Sequence, residues 1–233
     1  MRNKKKFLIM FLVAAVLIGV GITYYYHYQS VNYVTTEDAR IEADTVVVTP
    51  QIPGKILSWD VKEGDYVKKG EKLGLLDLSS IMNTANVNVQ ALNELGSPAA
   101  SKAEITAPIS GRVIKSNVRA GQTITPGQTM AIIADTDDMY VTANIEETKI
   151  SKVKMGQKVE IKIDAIPEKK FIGYVSEIGE ATTSYFSLIP IQNSNGNFTK
   201  VTQLIPIKIR FPEINKLNIV PGMNVVVKIH ISD

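Results

Sequence analysis

Ile52-Pro-Gly-Lys-Ile-Leu and Ile109-Ser-Gly-Arg-Val-Ile are two copies of one pattern, and they decide the fold of this chain. The match continues without a gap at an offset of 57 residues. Apolar residues of the first copy align with apolar residues of the second. Val61 aligns with Val118, and Ile56, Val67, Leu73, Leu75 and Leu76 align with Val113, Ile124, Met130, Ile132 and Ile133. Self-similarity at a fixed offset predicts that the chain builds one structural unit twice.

Glycines are repeated together with the apolar positions. Each copy reads as short strands separated by glycine turns, because glycine tolerates the positive φ of tight turns and β-branched residues suit a half-buried strand. Two copies facing each other would close a small β-sandwich, which predicts one domain made of residues 39–77 plus 104–135. The expected turn glycines are Gly54, Gly64, Gly70, Gly111, Gly121 and Gly127.

The N-terminal residues predict a membrane anchor. Phe7 opens a run of twenty uncharged residues, long enough as a helix to cross a hydrocarbon core of about 30 Å. A basic tail at residues 1–6 precedes it, and Tyr24, Tyr25 and Tyr26 stand where an aromatic belt would meet the far headgroups. We therefore expect an anchor at 7–28 with a cytoplasmic N-terminus, a linker at 29–38, and all later residues outside the cytoplasm. A cleaved signal peptide is the alternative.

The sandwich is interrupted by an insertion at residues 78–103. Its apolar residues fall at spacings of three and four, with a serine as N-cap and a glycine and a proline beyond the end. This spacing predicts one amphipathic helix of about 24 Å. Its apolar face consists of Ile81, Ala85, Val89, Leu92 and Leu95.

Residues 136–233 predict a second β-rich unit. Val159-Glu-Ile-Lys-Ile-Asp and Val225-Val-Val-Lys-Ile-His-Ile alternate in polarity as half-buried strands do, and glycines and prolines separate the segments. About six strands in this order suggest a small antiparallel barrel, with a short helical turn from Glu146 to Val153. The fold class is therefore mostly β behind an N-terminal helix.

Composition excludes several functions. The chain has no cysteine, so it has no disulfide, no cysteine nucleophile and no Cys-ligated metal. The net charge is +3, and without the basic tail the rest is nearly neutral, which does not favour nucleic-acid binding. His27 and His230 stand far apart without neighbouring ligand residue types, and no P-loop, zinc-protease or serine-hydrolase motif occurs. We expect no enzyme activity, metal or cofactor.

Several motifs resemble the HlyD, or membrane fusion protein, family of transporter adaptors. The first group is Val47-Val-Thr-Pro-Gln-Ile-Pro-Gly-Lys-Ile and Ile105-Thr-Ala-Pro-Ile-Ser-Gly-Arg-Val, which look like the two halves of its biotinyl/lipoyl-like domain. Tyr140-Val-Thr-Ala-Asn-Ile-Glu-Glu-Thr and Val220-Pro-Gly-Met-Asn-Val look like its β-barrel. Val34-Thr-Thr-Glu-Asp-Ala-Arg-Ile and Asn195-Gly-Asn-Phe-Thr-Lys-Val are similar to the EmrA-like branch. Carrier enzymes with lipoyl domains are excluded, because the junction after Asp77 is a long insertion and not a tight hairpin bearing a lysine.

The resemblance implies a non-catalytic adaptor for an efflux pump, which needs no substrate pocket of its own and assembles as a homo-oligomer with a polytopic exporter. A major-facilitator drug exporter is the implied partner, and an ABC exporter is the alternative within this class. A free-standing extracytoplasmic binding module is the alternative from another class. The short insertion implies a much shortened helical hairpin. Gln122, on a predicted sandwich tip, could line the passage of a ring of copies, and Trp59, aligned with Ser116, is expected at an edge or interface.

Overall fold

The computed structural model describes residues 2–77, 103–186, 202–212 and 219–231. The chain divides into two compact units, one formed by Met1–Ile41 with Tyr140–Asp233 and the other by Glu42–Met139. The second unit is thus an insertion into the first. The helix expected in the sandwich insertion and the motif that begins at Asn195 lie outside the described residues.

The first unit begins with a long helix, α1 (Arg2–Asn32), and a strand, β1 (Tyr33–Glu42), follows with no residue between them. The linker expected at residues 29–38 is therefore wrong. The expectation missed β1 because Thr35, Thr36, Glu37 and Asp38 make it look like a polar connection. Its buried residues, Val34, Ala39 and Ile41, nevertheless pack into the core of a barrel.

The barrel of the first unit is closed by six strands. The described part of residues 136–233 supplies five of them, one fewer than about six expected there, and the sixth is β1, which was expected to be a linker. The later strands are β10 (Tyr140–Glu146), β11 (Lys158–Ile163), β12 (Lys170–Ile178), β13 (Leu204–Arg210) and β14 (Asn224–His230). Their order around the barrel is β1-β10-β13-β12-β11-β14. Between β10 and β11 lies the expected helical turn, α2 (Glu147–Ile150), and a 3₁₀ turn spans Thr183–Phe186. Alternate residues such as Val159, Ile161 and Ile163 fill the interior.

The second unit is the expected sandwich. Its eight strands are β2 (Thr45–Val48), β3 (Gly54–Trp59), β4 (Tyr66–Val67), β5 (Lys72–Asp77), β6 (Glu104–Thr106), β7 (Gly111–Ser116), β8 (Thr123–Ile124) and β9 (Ala131–Ala134). One sheet has the order β2-β9-β7-β4 and the other β6-β5-β3-β8. Each sheet therefore takes two strands from each sequence copy, so the copies interlock and do not form one sheet apiece.

The two copies are equivalent down to their hydrogen bonds. Gly64 N donates to Val113 O over 2.8 Å, and the equivalent Gly121 N donates to Ile56 O over 2.7 Å. Both long hairpins carry an irregularity at the same place, between Ile56 and Ser58 in β3 and between Val113 and Lys115 in β7. The shared core includes Ile56, Leu73, Val113, Ile124 and Met130, all of them buried. Neither copy could bury these side chains alone.

Trp59 joins the two copies at their equivalent positions. Its indole Nε1 donates a hydrogen bond of 2.9 Å to Ser116 Oγ, and its ring packs partly buried against the sandwich core. Trp59 thus lies at the end of β3, only partly buried and in contact with the other copy, which agrees with its expected place at an edge or interface.

We predict that Ser116→Ala lowers the free energy of unfolding of the sandwich by about 1 kcal/mol, because the partly buried indole N–H loses its acceptor. Trp59 is the only tryptophan, so its fluorescence during urea denaturation reports on this unit alone. The control is Ser58→Ala, which removes a hydroxyl bonded to exposed Asp60. Equal stability losses in the two variants would contradict the prediction.

Candidate functional site

The junction between α1 and the barrel is the first part of the candidate site. Asn32 ends α1, and its side-chain Nδ2 donates to Tyr28 O over 2.8 Å, one turn earlier in the helix. Ile231 N, just after β14, donates to Asn32 O over 2.9 Å. The helix therefore continues directly into β1, and its last residue is also hydrogen-bonded to the residue after β14.

Aromatic and charged side chains surround this junction, which we call the anchor junction (Tyr28, Asn32, Tyr33, Glu160, Lys228 and His230). The Tyr33 ring meets the His230 ring edge to face at 4.9 Å between centroids, and Lys228 Nζ lies 3.8 Å from the Tyr33 centroid. His230 Nε2 lies 3.0 Å from Glu160 Oε1, and Lys170 Nζ lies 3.6 Å from Glu160 Oε2. These contacts join β1, β14, β11 and β12 on the outer wall.

The pKa of Glu160 is lowered from its ordinary value. Partial burial of the carboxyl works to raise the pKa, but the hydrogen bond from His230 and the positive charges of Lys170, His230 and Lys228 outweigh burial. A carboxylate with a lowered pKa in the folded state stabilises the protein above its ordinary pKa, and this stabilisation is lost as the pH falls through the lowered value.

The expected anchor residues lie on α1. The backbone of Phe7 is helical, and Tyr24, Tyr25 and Tyr26 are exposed on the helix surface. The stretch Met10–Asn32 is long and apolar enough to cross a membrane, and none of it is buried against the protein. The helix therefore extends away from the barrel and presents its apolar surface on all sides.

Four of the six expected turn glycines occupy the conformation that tight turns require. Gly64, Gly70, Gly121 and Gly127 have φ values between +83° and +94°. Each is the third residue of a turn closed by a backbone hydrogen bond, for example Asp65 N to Lys62 O and Gln128 N to Thr125 O. A positive φ at that position is the mark of a type II turn, which favours glycine.

The other two glycines, Gly54 and Gly111, are not turn residues, and the expectation for them was wrong. They are the buried first residues of β3 and β7. A Cβ on Gly111 would lie 2.1 Å from Ala134 O, and one on Gly54 would lie 3.0 Å from Asp77 O. Glycine is needed here because the neighbouring strand approaches too closely for a side chain.

Gln122 lies at a sandwich tip, as expected, and it is exposed. Its backbone carbonyl accepts from Ile56 N over 2.8 Å, which holds the tip to the other copy. The equivalent residue of the first copy is Asp65, whose carboxylate accepts from Lys62 N over 2.8 Å. The two tips therefore share a backbone but differ in charge.

Sequence reasoning missed the ion pairs of the anchor junction. It noted His230 as a lone histidine, whereas the structure places it beside Glu160, 70 positions away in the chain. The alternation of β11 and β14 places Glu160, Lys228 and His230 on the outer wall, but only the strand register shows which of them meet. Among the described residues, no group of three His, Asp or Glu residues is placed to hold a metal ion.

A small cavity of about 210 Å³ lies between β1 and β10. Val34, Ile145 and Leu204 contribute apolar surface to it. At its rim Asn144 Nδ2 donates to Asp38 Oδ2 over 3.0 Å, and Lys149 Nζ lies 3.0 Å from Glu146 Oε1. The polar side chains at this rim are thus paired with one another.

Each of the two units of the chain matches the model of a known domain family. Residues 44–136 match the family described as "RND MFP, barrel-sandwich hybrid domain", and residues 139–229 match the "YknX-like beta-barrel domain". The putative efflux system component YhbJ of Bacillus subtilis is 38% identical over 86% of this chain and 81% of its own length. The colistin resistance protein EmrA of Acinetobacter baumannii is 34% identical over 65% of this chain but only 41% of its own length.

A solved structure shows the same fold. A chimera of MacA and MexA, which contains the Pseudomonas aeruginosa MexA α-hairpin domain, is 26% identical over 87% of this chain and 82% of its own, with a TM-score of 0.62.

We predict that Gly111→Ala destabilises the sandwich by at least about 3 kcal/mol, because the new methyl group would collide with the backbone of β9. Gly127→Ala is the control, since a Cβ there meets no atom within 4 Å and only its positive φ is unfavourable, at a cost of about 1 kcal/mol. Urea denaturation followed by Trp59 fluorescence measures both. The prediction fails if the control loses as much stability as Gly111→Ala.

We predict that Glu160→Gln lowers the free energy of unfolding of the barrel by about 0.5–1 kcal/mol at neutral pH, because a partly exposed ion-pair network is lost. The deficit should shrink as the pH falls from about 4.5 through the lowered pKa of Glu160, since wild-type Glu160 then becomes neutral as well. Urea denaturation followed by circular dichroism at several pH values measures it.

The matched control is Glu177→Gln, which breaks a more exposed ion pair with Lys208. We expect it to change the free energy of unfolding by at most a few tenths of a kcal/mol. A Glu160→Gln deficit that is the same at pH 3 and pH 7 would show that the charge of Glu160 is not its cause.

Proposed function

This chain belongs to the membrane fusion protein family, and we propose that it serves as the non-catalytic adaptor of an efflux system. The observation that carries the proposal is the order of parts along one chain: an apolar helix, a barrel, and a two-copy sandwich inserted into that barrel. Membership of the family supports an adaptor role, since its relatives include an efflux component and EmrA proteins.

In this proposal α1 is a retained anchor. Arg2, Lys4, Lys5 and Lys6 precede the apolar stretch and favour a cytoplasmic N-terminus by the positive-inside rule. The barrel and the sandwich then lie outside the cytoplasm. Because α1 enters β1 directly and Ile231 bonds to Asn32, the anchor would hold the barrel close to the membrane surface.

The proposed partner is a polytopic exporter of the major-facilitator type, with an ABC exporter as the alternative. The similarity to EmrA supports the first of these. The chain spans less than half of the length of the EmrA relative, so the activity of that whole protein comes here only as a proposal. The exporter would supply the energy and the substrate selectivity, and the adaptor would act only through its position and shape beside the exporter.

We further propose that copies of the chain assemble around the exporter, with the sandwich tips directed at a common axis. Gln122 is suited to line a passage, because its side chain is exposed at a tip and uncharged. Its neighbour Gly121 donates to Ile56 O, so the tip backbone is fixed to β3. A rigid polar tip can narrow a passage without binding the transported molecule tightly.

We predict that the full-length chain, tagged at its C-terminus and extracted from its native membrane in mild detergent, retains a polytopic exporter and elutes as an oligomer. Mass spectrometry identifies the companion and light scattering gives the mass of the complex. The control is an unrelated single-span protein with the same tag, expressed in the same membrane.

A chain that elutes as a monomer without an exporter across several mild detergents would contradict the adaptor role. It would favour the free-standing binding module instead.

A further inference from the structure

The strand directions place a defined set of connections at the end of the barrel from which α1 leaves. Tyr33 at the start of β1 pairs with His230 at the end of β14, and Val159 at the start of β11 pairs with Ile229. The cavity lined by both Val34 and Glu146 brings the end of β10 to the same place. The α2–β11 connection and the 3₁₀ turn after β12 therefore lie at the α1 end.

This end carries the most exposed apolar side chains of the described residues outside α1. Met155 is 70% exposed and Tyr185 is 79% exposed, whereas Val220 at the opposite end is 53% exposed. Met155 stands in the turn before β11, where Gly156 has a φ of +82°. Tyr185 stands in the 3₁₀ turn, whose Ser184 bonds to Gln203 beside α2. Neither side chain is buried in the barrel core.

The same end is locally basic. Residues 148–158 contain four lysines and no acidic residue. Lys149 pairs with Glu146, while Lys152, Lys154 and Lys158 are exposed around Met155. Glu147 and Glu180 are also exposed at this end, so the excess of positive charge is confined to the turn itself. We call Lys152, Lys154, Met155 and Lys158 the basic turn.

The surface lies within reach of a bilayer that contains α1. Strand β1 follows the helix directly, with no residue between them. Because a strand rises only about 3.3 Å per residue, the first residues of β1 stay close to the end of the helix. Lysines near a membrane are attracted to anionic headgroups, and tyrosine favours the interface. Exposed apolar side chains flanked by lysines can bury themselves about 5–10 Å into the headgroup–acyl boundary.

We propose that the basic turn and Tyr185 rest on the bilayer, with the lysines binding anionic lipid headgroups and Met155 and Tyr185 entering the interface. This inference rests on the anchor assumed in the proposed function, but it requires no exporter. It makes the barrel a second membrane contact, which would fix the rotation and tilt of the adaptor about α1. An exporter loop could also meet this surface, and the experiment distinguishes the two.

The absence of cysteine makes the test direct, because a single introduced cysteine can be labelled in the full-length chain. Met155→Cys carries an environment-sensitive fluorophore, and Val220→Cys is the matched control, an exposed residue just before a glycine turn at the other barrel end. Each protein is reconstituted without an exporter in vesicles of phosphatidylcholine, with or without phosphatidylglycerol. Lipids spin-labelled near the headgroup serve as quenchers.

We expect quenching at residue 155 at least about threefold that at residue 220, because only a side chain buried about 5–10 Å into the headgroup–acyl boundary lies beside the spin labels. Phosphatidylglycerol should increase it, and salt should reverse that increase. Replacing Lys152, Lys154 and Lys158 by glutamine should abolish the increase. The control replaces the exposed sandwich lysines Lys62, Lys68 and Lys69 by glutamine and should leave it unchanged.

Quenching at residue 155 no stronger than at residue 220 would overturn the proposal. A blue shift of the fluorophore at residue 155 that appears only after an exporter is added, without quenching by the spin-labelled lipids, would overturn it in favour of a protein contact. Resistance to carbonate extraction measures the anchor separately, so a failed lipid contact is distinguishable from a failed anchor.

Discussion

Closure of the barrel by β1 is the constraint on which the rest of the structure depends. This strand precedes the sandwich in the chain, yet it completes a barrel whose other five strands follow the sandwich. Without β1, the edges of β10 and β14 would expose unpaired backbone groups. The end of the sandwich segment must therefore come back to its beginning. The antiparallel pairing of its first strand, β2, with its last strand, β9, does this, with Thr45 opposite Ala134.

The sandwich meets that requirement by interlocking its two copies. Because each sheet contains strands of both copies, neither copy can separate without breaking backbone hydrogen bonds as well as the shared core. Within each copy, Gly54 and Gly111 allow the neighbouring strand to approach closely, and the positive-φ glycines reverse the chain between strands. The result is a unit suited to hold its tips, including Gln122, in defined places.

The two ends of the barrel carry different connections because β1 precedes the sandwich and the other barrel strands follow it. Chain connections to the sandwich leave one end, and α1 leaves the other, together with the basic turn and the anchor junction. The hydrogen bond from Ile231 to Asn32 and the contacts of Tyr33 with His230 and Lys228 connect helix and barrel into one element.

The sequence by itself determined the apolar helix, the repeat at an offset of 57 and four of the turn glycines, because each of these depends on local composition and residue spacing. It also indicated a barrel of about six strands. Only the tertiary structure decided that β1 completes the barrel, that each sheet mixes both copies, and that Glu160 meets His230. Alternating polarity shows which face of a strand is buried, but it does not identify the neighbouring strand. Partner and register are chosen by packing and hydrogen bonding between segments far apart in the chain, and so they arise only when the whole chain folds.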